Sequence, residues 1–291
     1  MYLEILNGLF ASNNLTTDQA KQTYLQNLKP AVQSLRASYR AFPVRFDYAN
    51  HSVQAAYLLA YFPHYTDLLL TALNKTEAVF ANQNINELHL FGSGPCPEIL
   101  GFLRYATQHT PRVNRDIQVT IYDIAVEHWR YSRDIIYGHV VPTFLNGSTV
   151  HRSAGQIDIS QPFTKTFTAG SKLCVFQNCL NEISEANHRT LIQNFRNVYS
   201  NLPSGSYLAI IDLDYRQIRE LIGNIENALT QNPCQVLRSI TEGEIKHRSH
   251  WGNPPQIITE NLLTDIPGQE NPTGLLPRRN IPFIYSLYRK P

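Results

Sequence analysis

The sequence predicts an α/β protein with a doubly wound, mostly parallel sheet, an antiparallel strand at its C-terminal edge, and a helical region before the sheet. Three observations support this. Strands and helices alternate from Asn86 onward, which is typical of parallel α/β sheets. Residues 1–84 instead show helical periodicity without strand alternation, and a late apolar run, Pro282 to Tyr288, is suited to an edge strand. We therefore expect an N-terminal helical cap, residues 1–84, and an α/β domain, residues 85–291.

Composition sets limits on function. The 291 residues are 43% hydrophobic, enough for a large core, and the formal charge of +2 gives no overall basic surface typical of nucleic-acid binding. The four cysteines include no C-x-x-C pair, so we predict neither a metal site nor a disulfide framework. No leader sequence and no long apolar run is present, so we expect a soluble, cytoplasmic protein without membrane partners.

The cap is predicted to contain several helices. Thr16 and Gln19 have the spacing of a capping box, and Pro30 interrupts the apolar periodicity that follows. Further helices are expected over about residues 52–62 and 66–80, separated at Pro63. The break, Y-F-P-H-Y-T-D at residues 61–67, could place His64 and Tyr65 over a neighbouring pocket, or its rings could simply pack the helical layer.

The segment E-L-H-L-F-G-S-G-P-C-P-E-I, residues 87–99, predicts a buried strand, a glycine-rich turn and a helix start. Gly92 and Gly94 permit positive φ and carry no Cβ that would keep a ligand away from the backbone. Cys96 stands where the third glycine of a G-x-G-x-G pattern would fall, and no G-K-[ST] follows, so a P-loop is excluded. The turn alone is compatible with many nucleotide ligands or with none.

Polar side chains follow two further predicted strands. Strand Gln118 to Tyr122 ends at Asp123, 29 positions after Gly94, where an acid in a βαβ unit can bind both hydroxyls of a ribose. Strand Leu173 to Gln177 runs into Asn178, Asn181 and Glu182. Because the carboxyl ends of parallel strands meet at one edge of a sheet, these groups are expected near the glycine turn.

The remaining elements are predicted less directly. A third strand is expected near residue 150, with Asp158 after it, and a helix that carries Trp129 and Tyr131 is expected before it. A helix over about residues 185–202 and a strand at 207–211 follow, and Gln256 to Thr259 is predicted as a strand.

In this order, the glycine turn, the strand-end acid, the polar fourth strand end and the late edge strand resemble the S-adenosylmethionine-dependent methyltransferases of Rossmann-like fold. The resemblance covers about residues 85–291. It implies S-adenosylmethionine as cofactor. The chain differs from the family at Leu90, where an acid usually stands near the end of the first strand. The resemblance implies the following cofactor contacts: Gly92, Ser93, Gly94, Pro95, Cys96, Asp123, Ile124, Asp158, Gln177 and Asn178.

Within this superfamily the chain is most similar to ribosomal-RNA-methyltransferase-like proteins. It also resembles nicotianamine synthase, which places an F-P-x-Y segment before a G-S-G-P turn and transfers the aminocarboxypropyl group of the same cofactor. The resemblance therefore implies methyl transfer to an unidentified acceptor, RNA or a small molecule. Aminocarboxypropyl transfer and a catalytically inactive, methyltransferase-fold binding protein are the alternatives.

The implied reaction is in-line attack of an acceptor on the sulfonium methyl, with a general base only where the acceptor carries a proton. Glu182, His64 and Tyr65 are the candidates for that base. For RNA, the candidate contacts lie between Lys246 and Trp251, with Arg278 and Arg279 further on, although Glu242 and Glu244 upstream are equally compatible with a solvated loop.

Overall fold

A computed structural model describes residues 1–76, 85–109, 115–251, 253–263, 275 and 280–291. Its N-terminal part contains five helices: α1 Tyr2–Ser12, α2 Asp18–Asn27, α3 Lys29–Ser38, α4 His51–Ala60 and α5 Phe62–Lys75. The predicted breaks are confirmed, since Pro30 and Pro63 each lie in the first turn of a new helix. The N-cap of α2 is Thr17 rather than Thr16, because the Thr17 hydroxyl accepts the Ala20 N–H at 3.2 Å.

The sheet has eight strands: β1 Glu87–Phe91, β2 Asp116–Asp123, β3 Thr149–Gln156, β4 Leu173–Gln177, β5 Tyr207–Leu213, β6 Gln235–Arg238, β7 Ile245–Arg248 and β8 Asn280–Arg289. Their order is β3-β2-β1-β4-β5-β8-β6, with β7 paired to the other end of β8. Strands β1 to β5 are mutually parallel, and β8 is antiparallel to β5. The predicted Rossmann-like, doubly wound fold with an antiparallel C-terminal strand is confirmed, although β6 and β7 lie beyond β8, which is therefore not the outermost strand.

The helices of the α/β part are α6 Pro97–His109, α7 Arg130–Ile135, α8 His188–Asn201, α9 Arg216–Leu229 and α10 Gln256–Asn261. The predicted strand at Gln256 to Thr259 is wrong, because this segment is α10. Pro255 accepts the Ile258 and Thr259 amides and so begins a helical turn, and a single buried residue, Ile258, does not distinguish strand from helix. Helix α9 and strands β6 and β7 were not predicted from the sequence.

The sheet has a core on each face. One core joins the cap helices, α6 and α10 to the sheet, and the other lies under α8 and α9. Helix α5 packs directly on α6: a Cβ on Gly101 would stand 2.5 Å from the Thr66 carbonyl oxygen. The cap is therefore a layer of the main core. The domain boundary expected at residue 84 falls among residues 77–84, outside the described part, and stays a prediction. No helix in the described ranges is long and apolar enough to cross a membrane.

Candidate active site

A cavity of about 490 Å³ opens at the carboxyl ends of β1, β2 and β4. Strand order reverses between β1 and β4, so the cavity occupies the topological switch point at which open α/β sheets bind ligands. The cap covers its other side. The lining residues from the sheet side are Gly92, Ser93, Gly94, Pro95, Pro97, Glu98, Asp123, Ile124, Trp129, Ile157, Asp158, Ile159, Ser160, Gln177, Asn178, Cys179, Glu182, Ile183, Ser184 and Asn187, and those from the cap are Tyr39, Val44, Arg45, Phe46, Tyr48 and Tyr57.

The glycine turn adopts the left-handed conformation that its sequence predicts. Gly92 has φ of 61° and Gly94 of 24°. A Cβ on Gly92 would lie 2.4 Å from the Cys179 Cβ, and one on Gly94 would lie 2.7 Å from the Trp129 indole. The space released by both missing side chains is thus filled by the protein itself. The glycines shape the turn and allow Cys179 and Trp129 to pack behind it.

Asp123 joins the end of β2 to this turn. Its Oδ2 accepts the Gly94 N–H at 2.9 Å, and its Oδ1 accepts the Ala125 N–H at 2.7 Å. Burial raises the pKa of Asp123, and the two backbone hydrogen bonds and the nearby Arg133 charge oppose that rise. Each carboxylate oxygen retains a second acceptor site, so Asp123 can hold the turn and still receive two ligand hydroxyls.

Two amide side chains at the end of β4 offer polar atoms to the cavity. Gln177 is buried; its amide nitrogen donates to the Tyr65 carbonyl at 3.1 Å, while its Oε1 has no hydrogen-bond partner among the described residues. Asn178 adopts a left-handed φ of 54°, and both polar atoms of its side chain are buried and unpartnered. Since buried polar groups are nearly always hydrogen-bonded, these three atoms mark where a polar ligand belongs.

Two carboxyl groups that line the cavity have pKa values raised toward neutral pH. Burial raises the pKa of Glu98 to about 8, against a hydrogen bond that Ser93 donates at 2.5 Å. Burial also raises the pKa of half-buried Glu182 to about 8, where Asp123 and Asp212 add to the effect and a short hydrogen bond from Tyr48 opposes it. Carboxyls with pKa values near the working pH are suited to proton transfer.

The cap supplies an aromatic wall. Tyr48 lies with its ring centroid 4.9 Å from that of Trp129, and Tyr57 meets the same indole edge-on at 5.7 Å. Phe46 links Tyr48 to Tyr39 through centroid distances of 5.5 and 5.1 Å. Acidic groups on the sheet side facing aromatic rings on the cap side form an environment that favours a cationic or planar ligand.

Most of the predicted site residues meet in this cavity. Ten line it: Gly92, Ser93, Gly94, Pro95, Asp123, Ile124, Asp158, Gln177, Asn178 and Glu182. Cys96, His64 and Tyr65 are fully buried and do not line it. Cys96 lies behind the turn with φ of 62°, and His64 faces the Tyr2 hydroxyl at 3.1 Å.

The segment predicted to contact RNA is partly structural. Lys246 belongs to β7 and lies 3.6 Å from Glu244, His247 is buried, and the Arg104 guanidinium stacks 4.8 Å from the Trp251 ring. Arg278 and Arg279 lie outside the described residues.

Sequence reasoning missed Glu98 and Tyr48 as lining residues and named Trp129 only as part of an expected helix. Glu98 is an acid in the first helical turn after the glycines. Because acids in a first turn ordinarily stabilise the helix dipole, this position did not by itself indicate a ligand contact. Nothing in the local pattern identifies Tyr48, which lies in an irregular loop between α3 and α4.

No protein-family model matches the chain, and no curated protein matches its sequence. Solved structures resemble the chain at low sequence identity. The chain resembles an S-adenosylmethionine-dependent O-methyltransferase from Thermotoga maritima over 76% of its own length and 63% of that protein's, with 10% identity and a TM-score of 0.36. It resembles the N-methyltransferase NodS from Bradyrhizobium japonicum, in complex with S-adenosylhomocysteine, over 90% and 98% of the two chains, with 13% identity and a TM-score of 0.41.

A third similar structure is the plantazolicin methyltransferase BpumL, also in complex with S-adenosylhomocysteine. It covers 94% of this chain and 99% of its own, with 13% identity and a TM-score of 0.40. At such identities and TM-scores the likeness concerns the fold, and the roles of individual residues rest on the cavity itself.

Proposed function

We propose that the protein binds S-adenosylmethionine in the cavity and transfers its methyl group to a small acceptor. One observation carries this proposal: the left-handed glycine turn, Asp123, the Gln177 side-chain oxygen and the Asn178 side-chain amide converge at the switch point of the sheet, and these amide atoms have no partner among the described residues. The cavity volume falls within the roughly 300–1,000 Å³ typical of small-molecule sites.

The residues present fit the cofactor. Asp123 retains acceptor sites for the ribose hydroxyls, and the 53% exposed Ile124, with Ile157 and Ile159, offers apolar contact to a base beside Asp158. Gln177 and Asn178 would receive the polar end of the ligand with their free amide atoms.

Glu98 can replace the acid that the family usually carries at the end of the first strand. Leu90 occupies the place where an acid would otherwise grip the amino group of the cofactor. Glu98 brings a buried carboxyl to the same turn from the start of α6, positioned by Ser93. We assign it the contact to that amino group, which would stabilise the ionised carboxylate.

The cofactor supplies an electrophilic methyl on a good leaving group, so the protein chiefly has to position the acceptor. Glu182, which accepts a hydrogen bond from Tyr48 of the cap loop, lines the cavity and can remove a proton from an acceptor amine or hydroxyl. The aromatic wall and the cavity acids Glu98, Asp123 and Glu182 support an amine acceptor that arrives as a cation. His64 and Tyr65 are not needed in this scheme.

Calorimetry with S-adenosylmethionine and S-adenosylhomocysteine tests the binding step. We expect Asp123→Asn to weaken binding at least about tenfold, since the loss of one hydrogen bond to a charged acceptor costs about 1.5–3 kcal/mol. Asp134→Asn is the matched control, because Asp134 is an exposed acid that pairs with Arg152 away from the cavity. Absence of binding heat with the wild-type protein would overturn the proposal, and thermal melts of each variant separate lost contacts from lost folding.

Product analysis tests the reaction. Incubation with labelled cofactor and pools of amines, RNA and protein should release S-adenosylhomocysteine and label an amine. Methylthioadenosine as product would instead establish aminocarboxypropyl transfer, and binding without turnover of any pool would favour the inactive binding protein. Labelled RNA, with affinity that falls steeply as salt rises, would direct attention to the segment from Lys246 to Trp251.

A further inference from the structure

Two polar segments that the proposed function does not use meet on the cap side of the sheet. The first segment is the second turn of α5, which carries Asp67. The second segment is β7 with the residues just after it, which carry His247 and His250. They are about 180 residues apart in sequence. The carboxylate of Asp67 and the ring of His247 are buried, whereas the side chain of His250 is 64% exposed. None of the three lines the cavity.

Two distances within this cluster match those between ligand atoms of one metal ion. Both His247 Nε2 and His250 Nδ1 lie 3.3 Å from Asp67 Oδ2, and the three atoms lie within 4.8 Å of one another. Charge-assisted N–H···O bonds are usually about 2.7–2.9 Å, so 3.3 Å is long for hydrogen bonds to a carboxylate. Tetrahedral zinc with bonds of about 2.0–2.1 Å separates its ligand atoms by about 3.3–3.4 Å, which matches both separations.

The surrounding groups orient these side chains as outer partners orient metal ligands. Thr71 Oγ1 lies 3.3 Å from His247 Nδ1, so it can accept that N–H and leave the Nε2 lone pair facing Asp67. Arg104 binds the other carboxylate oxygen, Oδ1, and thereby fixes the plane of the Asp67 carboxylate. The backbone N–H of His250 donates to Oδ2 at 2.8 Å and holds the chain after β7 against α5.

We propose that Asp67 Oδ2, His247 Nε2 and His250 Nδ1 bind a divalent transition-metal ion, with zinc the best match to two imidazoles and one carboxylate. The exposed ring of His250 gives the ion a path from solvent. Bound there, the ion ties helix α5 of the cap to the outer strand β7, far apart in sequence. The site is independent of cofactor binding and methyl transfer.

Metal binding is tested with the untagged full chain, which is stripped with EDTA, reloaded with excess zinc and dialysed against metal-free buffer. We expect one equivalent of zinc by plasma mass spectrometry, and Co²⁺ in its place should give the visible absorption of a low-coordinate site. His250→Ala should weaken zinc binding by more than about 100-fold, and Thr71→Val by about 10- to 100-fold. His151→Ala is the matched control, since His151 is also exposed and also faces an aspartate, Asp116, at 2.8 Å; zinc affinity should not change.

Because His250 is largely exposed, its alanine variant should melt at the wild-type temperature in EDTA and lose only the zinc-dependent increase. Two results would overturn the proposal. One is a wild-type chain that takes up no zinc or cobalt, which would leave the cluster a hydrogen-bond network. The other is a His250→Ala chain that binds zinc as tightly as the wild type, which would place the metal elsewhere.

Discussion

Glu98 gives the folded protein an unusual dependence on pH. The group is 1% exposed, and burial raises its pKa to about 8 from 4.5. Between these two values the folded state keeps the carboxyl proton while the unfolded state has released it. At Glu98 the folded state therefore binds more protons, so the contribution of this residue to the free energy of unfolding falls as pH rises from about 4.5 to 8.

The size of the effect follows from that difference in pKa. One pKa unit corresponds to about 1.4 kcal/mol, so the full difference would be worth up to about 5 kcal/mol. The cavity beside Glu98 admits water, which solvates the ionised form and reduces this figure. We expect a loss of about 2–3 kcal/mol attributable to Glu98 between pH 5 and pH 8.

Glu98→Gln removes the proton without changing the shape of the side chain, and the amide can still accept the Ser93 hydroxyl hydrogen. Urea denaturation of the cofactor-free protein at pH 5, 6, 7 and 8 measures the effect. The variant should show a flatter pH profile and be more stable than the wild type at pH 8. Glu127→Gln, at an exposed position, serves as the control and should leave the profile unchanged.

The reasoning would be refuted if the wild type and Glu98→Gln gave parallel profiles. Cofactor supplies a second test, because an ammonium group beside Glu98 should favour the carboxylate. Saturating S-adenosylhomocysteine should then reduce the loss of wild-type stability toward pH 8, and the Glu98→Gln profile should respond less.

Two further predictions concern packing and proton transfer. Gly101→Ala should destabilise the protein by about 1–3 kcal/mol, because the new Cβ would lie 2.5 Å from the Thr66 carbonyl oxygen. Gly223→Ala in α9 should stabilise it by about 0.5–1 kcal/mol, because no described atom lies within 4 Å of the added Cβ. Shifts of the urea midpoint in the same direction for both variants would contradict this prediction. Tyr48→Phe removes a hydrogen bond that lowers the pKa of Glu182. If Glu182 acts as the base, the rise of kcat with pH should therefore shift to higher pH. An unchanged midpoint of the kcat–pH profile would exclude Glu182 from that role.

The sheet side of the cavity was largely predictable because its signals are local. Gly92 and Gly94 predict a left-handed turn, and Asp123 directly follows an apolar run. The turn and Asp123 come together wherever β1 and β2 pair in parallel. The physical reason for the glycines was only partly predictable. That Cys179 and Trp129 occupy the space of the missing Cβ atoms depends on contacts over long sequence separations.

The cap side was not predictable from local pattern. His64 attracted attention as a histidine at a helix break, but α5 presents it to Tyr2 of α1 and not to the cavity. Tyr48 carries no periodic signal, because it lies in an irregular loop whose position is set by distant partners. The short strand β7 was equally hidden, since four residues rich in charge form a strand only where β8 offers an open edge.

A chain of hydrogen bonds explains how the cap side is held to the sheet. Asp212, at the end of β5, accepts the Leu180 N–H at 2.9 Å and the Asn181 side-chain amide at 2.7 Å, which fixes the loop after β4. The Asn181 carbonyl in turn accepts the Val44 N–H at 2.9 Å, which fixes the cap loop that carries Tyr48. Tyr48 then donates to Glu182 in the loop where the chain of bonds began.

This closed circuit separates two tasks within one cavity. The glycine turn, Asp123 and the β4 amides lie at the strand ends of the sheet, whereas the aromatic wall and the hydrogen bond to Glu182 include residues of the cap loop at 44–48. We therefore expect substitutions in the cap loop to change which acceptor is methylated while cofactor affinity stays constant. Loops carried on a rigid scaffold commonly determine specificity, which is the basis of this expectation.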